Sequence, residues 1–156
     1  MRLGLLLVII WMLFFVPTAF ASHYDLPDID ILSDSLVTQL SKDKIDNTEE
    51  LFAHLIKKAD REAFAKKYEM APDDVETLAH KLELMQIIGV GPKAATLLMM
   101  AGVNNLNALG QAQPEALLDA LLRVNREQAI TGVQPDLTVV RDWINKSKKI
   151  TNHIED

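Results

Sequence analysis

No cysteine occurs among the 156 residues. That absence excludes disulfides, cysteine-based zinc clusters, a thiol nucleophile and the lipid-acceptor cysteine of a lipoprotein. Aromatic residues are scarce as well, with two Trp, two Tyr and five Phe. The core must then be assembled from Leu, Ile, Val, Ala and Met, which suits helices and argues against a β-sandwich. Bases are outnumbered: 16 Lys and Arg against 22 Asp and Glu leave a formal net charge of −6. A surface of that sign repels a polyanion unless its bases cluster. The length suits one ordinary domain.

Catalytic and metal motifs are missing too. His23, His54, His80 and His153 are scattered, with no His-Glu-x-x-His and no histidine pair at helical spacing, so each is expected to be an exposed helix or tail residue. The chain has no Gly-x-Ser-x-Gly elbow and no phosphate-cradling Gly-x-x-x-x-Gly-Lys-Ser/Thr loop. Asp28-x-Asp30 lacks the third ligand, central glycine and closing glutamate of a calcium loop. The expectation is a protein without metal, cofactor or catalytic residues.

What is present begins with an address. Arg2, the apolar run Leu3–Val16 and then Pro17-Thr18-Ala19-Phe20-Ala21 have the order of a secretory signal peptide, residues 1–21, cleaved after Ala21. The alternative is an uncleaved anchor, since Leu3–Ala21 is 19 residues long and could just span a bilayer. Pro17 and Ala-Phe-Ala favour removal, leaving no membrane insertion and a periplasmic or secreted protein. Residues 22–43, with Asp25, Asp28, Asp30 and Asp34 among serines, suggest an acidic linker or capping arm.

From residue 44 to 150 the apolar period is helical. Helices are expected from Thr48 to about Lys58, from a cap at Asp60 to about Tyr68, and from Pro72 with Val75, Leu78, Leu82 and Met85 on one buried stripe. Others should run from Pro92 to Gly102, Asn105–Gly110, Pro114–Asn125 and Leu137–Lys149, the last presenting Leu137, Val140 and Ile144 inward with Trp143 beside them. Met99 and Met100, beside Leu97 and Leu98, are expected to fill the core. Residues 151–156 form a tail. An internal echo recurs after 58 residues: Ile45-Asp46-Asn47 with Leu51 matches Val103-Asn104-Asn105 with Leu109, which suggests two copies of one helical unit.

The most specific stretch is Leu84–Leu98, containing Ile87-Ile88-Gly89-Val90-Gly91-Pro92-Lys93-Ala94-Ala95. It resembles the helix-hairpin-helix signature: two glycines for a sharp turn, Val90 plugging the core, and small Ala95 letting the helices approach. In that family the N–H groups opening the second helix hold a nucleic-acid phosphate without reading sequence. The resemblance therefore marks Gly89, Val90, Gly91 and Lys93 as phosphate-binding positions. The same hairpin also serves simply to join helices, and only Lys81 and Lys93 lie near it, with Glu83 close by.

The wider run from Ile45 to Ile150 resembles the bacterial family known as domain of unknown function 4332. Glu50-Leu51-Phe52, Arg61-Glu62-Ala63-Phe64-Ala65, Leu97–Val103, Pro114-Glu115-Ala116-Leu117 and Val140-Arg141-Asp142-Trp143-Ile144 carry that likeness, together with the hairpin. Gln86 stands where the family tends to have a base, which weakens the phosphate reading. The resemblance implies an all-α, compact domain with helix-hairpin-helix units and no particular activity. The expected role is a non-enzymatic interaction module binding an unknown protein partner. Weak, sequence-independent DNA binding through Gly89-Val90-Gly91 is the alternative, disfavoured by the acidic charge.

Overall fold

The structure is a computed structural model that describes residues 23–155; the expected signal peptide lies outside them. Eight α-helices follow in order: α1 (Asp34–Lys42), α2 (Thr48–Ala53), α3 (Lys58–Lys67), α4 (Pro72–Met85), α5 (Pro92–Met100), α6 (Leu106–Gln111), α7 (Pro114–Gln128) and α8 (Leu137–Ser147). A 3-10 turn at Leu26–Asp28 precedes α1. The described residues contain no β-strand, only an isolated bridge between Asp25 and Asn47. The fold is all-α, as the aliphatic composition and the 3.6-residue period require.

The echo extends far beyond the residues that first reveal it. Helix α1 starts and stops 58 residues before α5, and α2 does the same relative to α6. Asn47 Oδ1 accepts from Glu50 N at 2.9 Å, and Asn105 Oδ1 accepts from Ala108 N at 2.7 Å, so both short helices carry the same N-cap. Both preceding helices end alike. Ile45 N donates to Leu40 O at 3.0 Å, Val103 N donates to Leu98 O at 2.9 Å, and the residue before each donor, Lys44 or Gly102, is left-handed. The match reaches upstream to Asp25, where Ile29 N donates to Leu26 O as Ile87 N donates to Leu84 O. Two units, Asp25–Ala53 and Glu83–Gln111, therefore share one backbone plan. Each is completed by a further helix pair: α2 and α3 pack on α4, whereas α6 and α7 pack on α8.

Two expectations shift. The stretch 22–43, expected as linker or capping arm, contains the 3-10 turn and all of α1, with Leu26, Ile29, Leu36 and Leu40 buried. Its main apolar residues belong to the core, and its acids are solvated together with other polar residues of the stretch. Helix α2 ends at Ala53 and α3 already begins at Lys58, without an Asp60 cap. The segment between them is held by Arg61, which is 5% exposed: its Nη1 donates to Leu55 O at 3.0 Å and Ile56 O at 2.8 Å. Those carbonyls bind a guanidinium where the chain turns.

The stripe on α4 is buried as its spacing requires, and so are Val140, Trp143 and Ile144 on α8. Leu40, Leu51, Leu98 and Leu109, equivalent in pairs, are fully buried. Met100 departs from expectation: it is 49% exposed, because the inward positions of α5 are taken by Ala95, Leu97 and Leu98. The tail is pinned as a strap. Glu155 N donates to Ile56 O, Arg61 Nη2 donates to Glu155 O at 2.9 Å, Gln86 Nε2 donates to Asn152 O, and Ile154 N donates to Glu83 Oε1 at 3.0 Å.

Candidate functional site

Helix α4 and helix α5 pack against each other through the Gln86–Gly91 turn. Gly89 has φ +98, a conformation that L side chains rarely adopt. A Cβ there would also stand 3.4 Å from the Trp143 indole nitrogen, so α8 lies close to the turn. Val90 is fully buried beneath it, and Ala95 is fully buried between the helices. Gly91 is different. Its φ of −85 and ψ of −177 are open to any residue, so of the two glycines expected to make the sharp turn only Gly89 supplies a conformation closed to side chains. What restricts Gly91 is Tyr24, whose hydroxyl would lie 3.1 Å from an added Cβ.

This turn forms one wall of an open hollow of about 740 Å³. The equivalent turn of the first unit, Asp28–Ile31, forms another, so the groove runs between two corresponding parts of the duplicated plan. Ile130, Val133, Pro135, Val139 and Trp143, from α8 and the loop before it, complete a mainly apolar lining. Val133 is 83% exposed and Val139 stands half-open. Beside the groove, Lys146 Nζ donates to Ile88 O at 3.1 Å, tying α8 to the turn while leaving the Ile88 side chain outside.

Of the positions marked from sequence, Gly89, Gly91 and Lys93 line this groove and Val90 lies under it. Helix α5 has no side-chain cap. Around it, however, the charge is mixed: Lys93 is the groove's base, and Asp28 and Asp30 line the same space. Lys146, beside the groove, is taken up by Asp142 at 2.6 Å and by Ile88 O. Lys67 pairs with Asp43 at 3.0 Å, and Lys81 lines a separate hollow between α1 and α4, where burial pulls its ammonium below the ordinary lysine range. Tyr24, Asp28, Asp30 and Val133 were not legible as groove residues. Carrying the 58-residue echo back to Asp25 would have placed Asp28 and Asp30 on a turn equivalent to Gln86–Gly91.

A smaller hollow joins His80, Glu83 and His153. His80 is half-buried rather than exposed, and its Nδ1 has no partner among the described residues. Glu83 is 2% exposed and fully engaged: Leu106 N donates to Oε2 at 3.2 Å, Ile154 N donates to Oε1, and His153 Nδ1 lies 3.5 Å from Oε1. It caps α6 and holds the tail. Among the described residues no three His, Asp or Glu are placed to hold a metal ion. None of the described helices is long and apolar enough to cross a membrane.

A duplicated all-α domain with an open apolar groove thus defines the class of protein. Within that class the chain belongs to the family described as domain of unknown function (DUF4332), whose match covers residues 32–150. No curated protein matches the chain, and no solved structure does.

Proposed function

We propose that this is an exported, non-enzymatic interaction module of the helix-hairpin-helix type, acting by protein–protein contact in the periplasm or outside the cell. The observation that carries the reading is the groove of about 740 Å³ between the two equivalent turns, apolar and rimmed by exposed Val133. A concave, mainly apolar cleft of this size with a few polar groups at its edge is the usual form of a binding site. The helix-hairpin-helix reading rests on positive-φ Gly89, buried Val90 and buried Ala95. Export rests on Arg2, Leu3–Val16 and Ala19-Phe20-Ala21.

A nucleic-acid role has less support. Asp28 and Asp30 line the space a phosphate would enter, and Tyr24 stands against Gly91.

The test places a photoreactive amino acid at Val133 in cells and, as a control, at exposed Lys58 on the distant α3. The reading expects a discrete protein adduct from position 133 alone, in the periplasmic or secreted fraction. N-terminal sequencing of that fraction should begin at Ser22. Equal labelling from both positions, or duplex DNA retained at moderate salt in a Lys93-dependent manner, would overturn it.

A further inference from the structure

We infer that the occupant of this groove is a basic, aliphatic segment of another protein: a short stretch in which Lys or Arg stands beside Leu, Ile or Val. The inference rests on the interaction-module reading and names its partner's chemistry. The argument starts from charge. Between Tyr24 and Ser41 the chain carries Asp25, Asp28, Asp30 and Asp34 and no Lys or Arg. None of these four carboxylates belongs to an ion pair among the described residues, and none accepts a side-chain hydrogen bond there. Four acids outside this stretch are held by Lys or Arg: Asp43 by Lys67, Glu76 by Arg61, Glu115 by Arg141, and Asp142 by Lys146.

Position sharpens the argument. Asp28 and Asp30 do not merely lie near the groove; they line it, together with Ile29 and Ile31 of the same turn. Their equivalents in the second unit are Gln86 and Ile88, neither charged. The acidic wall is therefore peculiar to the first unit, and it shares the groove with an apolar wall made by Val133, Pro135 and Val139. An aliphatic side chain entering the groove would bury against the latter, and a cation on the same segment would reach the former. An acidic segment would gain the same apolar contacts but meet two unpaired carboxylates against the single Lys93. A second copy of this chain, at −6 overall, brings the wrong sign.

The test uses the full chain and three fluorescein-labelled twelve-residue peptides read by anisotropy: Lys and Leu in alternating pairs, Glu and Leu in the same order, and Lys and Ser in the same order. Binding by the Lys–Leu peptide at moderate salt, well above either other peptide, is the expected result. Val133→Asn should weaken it about tenfold, the loss expected when a valine's burial is forgone. Asp28→Asn with Asp30→Asn should weaken it further and flatten its salt dependence, while leaving circular dichroism and melting unchanged, since both residues are exposed. Equal binding of the Lys–Ser peptide would show charge alone at work and overturn the proposal. Preference for the Glu–Leu peptide, lost in Val133→Asn, would overturn the basic occupant while leaving the interaction-module reading standing. Sedimentation of the chain alone as a dimer that Val133→Asn dissociates would assign the groove to a second copy, and would also overturn the proposal.

Discussion

The two units follow one backbone plan with two different ways of satisfying it. In the first, the amide of Thr48 donates to the backbone carbonyl of Tyr24 at 2.9 Å; in the second, the equivalent amide of Leu106 donates to the carboxylate of Glu83. The first unit's turn has no glycine and no positive φ, whereas the second's depends on Gly89. The first ends α1 with Lys44 in a left-handed conformation, and the second ends α5 with Gly102. Duplicated geometry is thus maintained by backbone contacts in one copy and by one buried acid and two positive-φ glycines in the other. The second unit is correspondingly the more vulnerable to single substitutions.

The largest expected effect follows from Glu83. In Glu83→Ala the buried Leu106 amide loses its acceptor and the tail loses its anchor at Ile154, which should cost about 3 kcal/mol. Chemical denaturation would measure it, and hydrogen exchange should show Leu106 and residues 152–155 losing protection together. The matching change in the first unit, Asp25→Ala, should cost little, because the Thr48 amide bonds to a backbone carbonyl that the substitution leaves in place. Equal losses at the two positions would break the comparison.

Next in size is the pair of glycines. Gly89→Val places a β-branched residue at φ +98 and a Cβ against Trp143, at an expected cost of about 2–3 kcal/mol. Gly91→Ala meets only the end of the Tyr24 side chain and should cost under about 1 kcal/mol. A melting series of the two variants checks the order; Gly91 proving the more costly would mean that Tyr24 is fixed more rigidly than its half-buried position suggests.

These cases also show how much of the fold was legible in the sequence. Helical period and Pro-first starts locate α4, α5, α7 and α8, because Pro72, Pro92 and Pro114 and the apolar stripes act locally. Asn47 and Asn105 expose the duplication for the same reason, since an N-cap acts within three residues. What escaped was decided at a distance. Arg61 holds the turn between α2 and α3 by binding carbonyls five and six residues back, and Glu83 reaches Leu106 and Ile154, 23 and 71 residues away. Helix α1 escaped because Asp34 and the acids just before it mask an apolar pattern of only a few residues. The candidate site was half legible: the glycine turn announced itself, but the acidic wall depends on Asp28 and Asp30 being folded against it.

A smaller effect of opposite sign is expected at Lys44. A left-handed lysine carries a conformational cost that glycine avoids, so Lys44→Gly should stabilise the protein by about 0.5–1 kcal/mol. Gly102→Lys should lose a similar amount. No atom lies within 4 Å of a Cβ built at Gly102, so that loss would be a backbone effect alone. If Lys44→Gly instead destabilised, the Lys44 side chain would be contributing more than its exposed position indicates.

The last asymmetry concerns acid. Asp43, at the end of α1, accepts from the Tyr68 hydroxyl at 2.7 Å and pairs with Lys67 at 3.0 Å; its equivalent in the second unit is Ala101. The Tyr68 hydrogen bond first, and the Lys67 contact second, hold the Asp43 carboxyl below its ordinary value of 3.8. A depressed carboxylate pKa contributes stability that is present above 3.8 and is lost as pH falls through the lower folded value. Asp43→Asn cannot titrate there. Denaturation midpoints of the wild type should exceed those of Asp43→Asn at pH 6, and the gap should narrow below about pH 4 as the carboxylate takes up its proton. Because Asp43 is exposed, the effect should be the smallest of the four and should shrink further in high salt. A gap independent of pH would mean that the Tyr68 hydroxyl bonds equally well to an amide, leaving the charge of Asp43 without a role in joining α1 to α3.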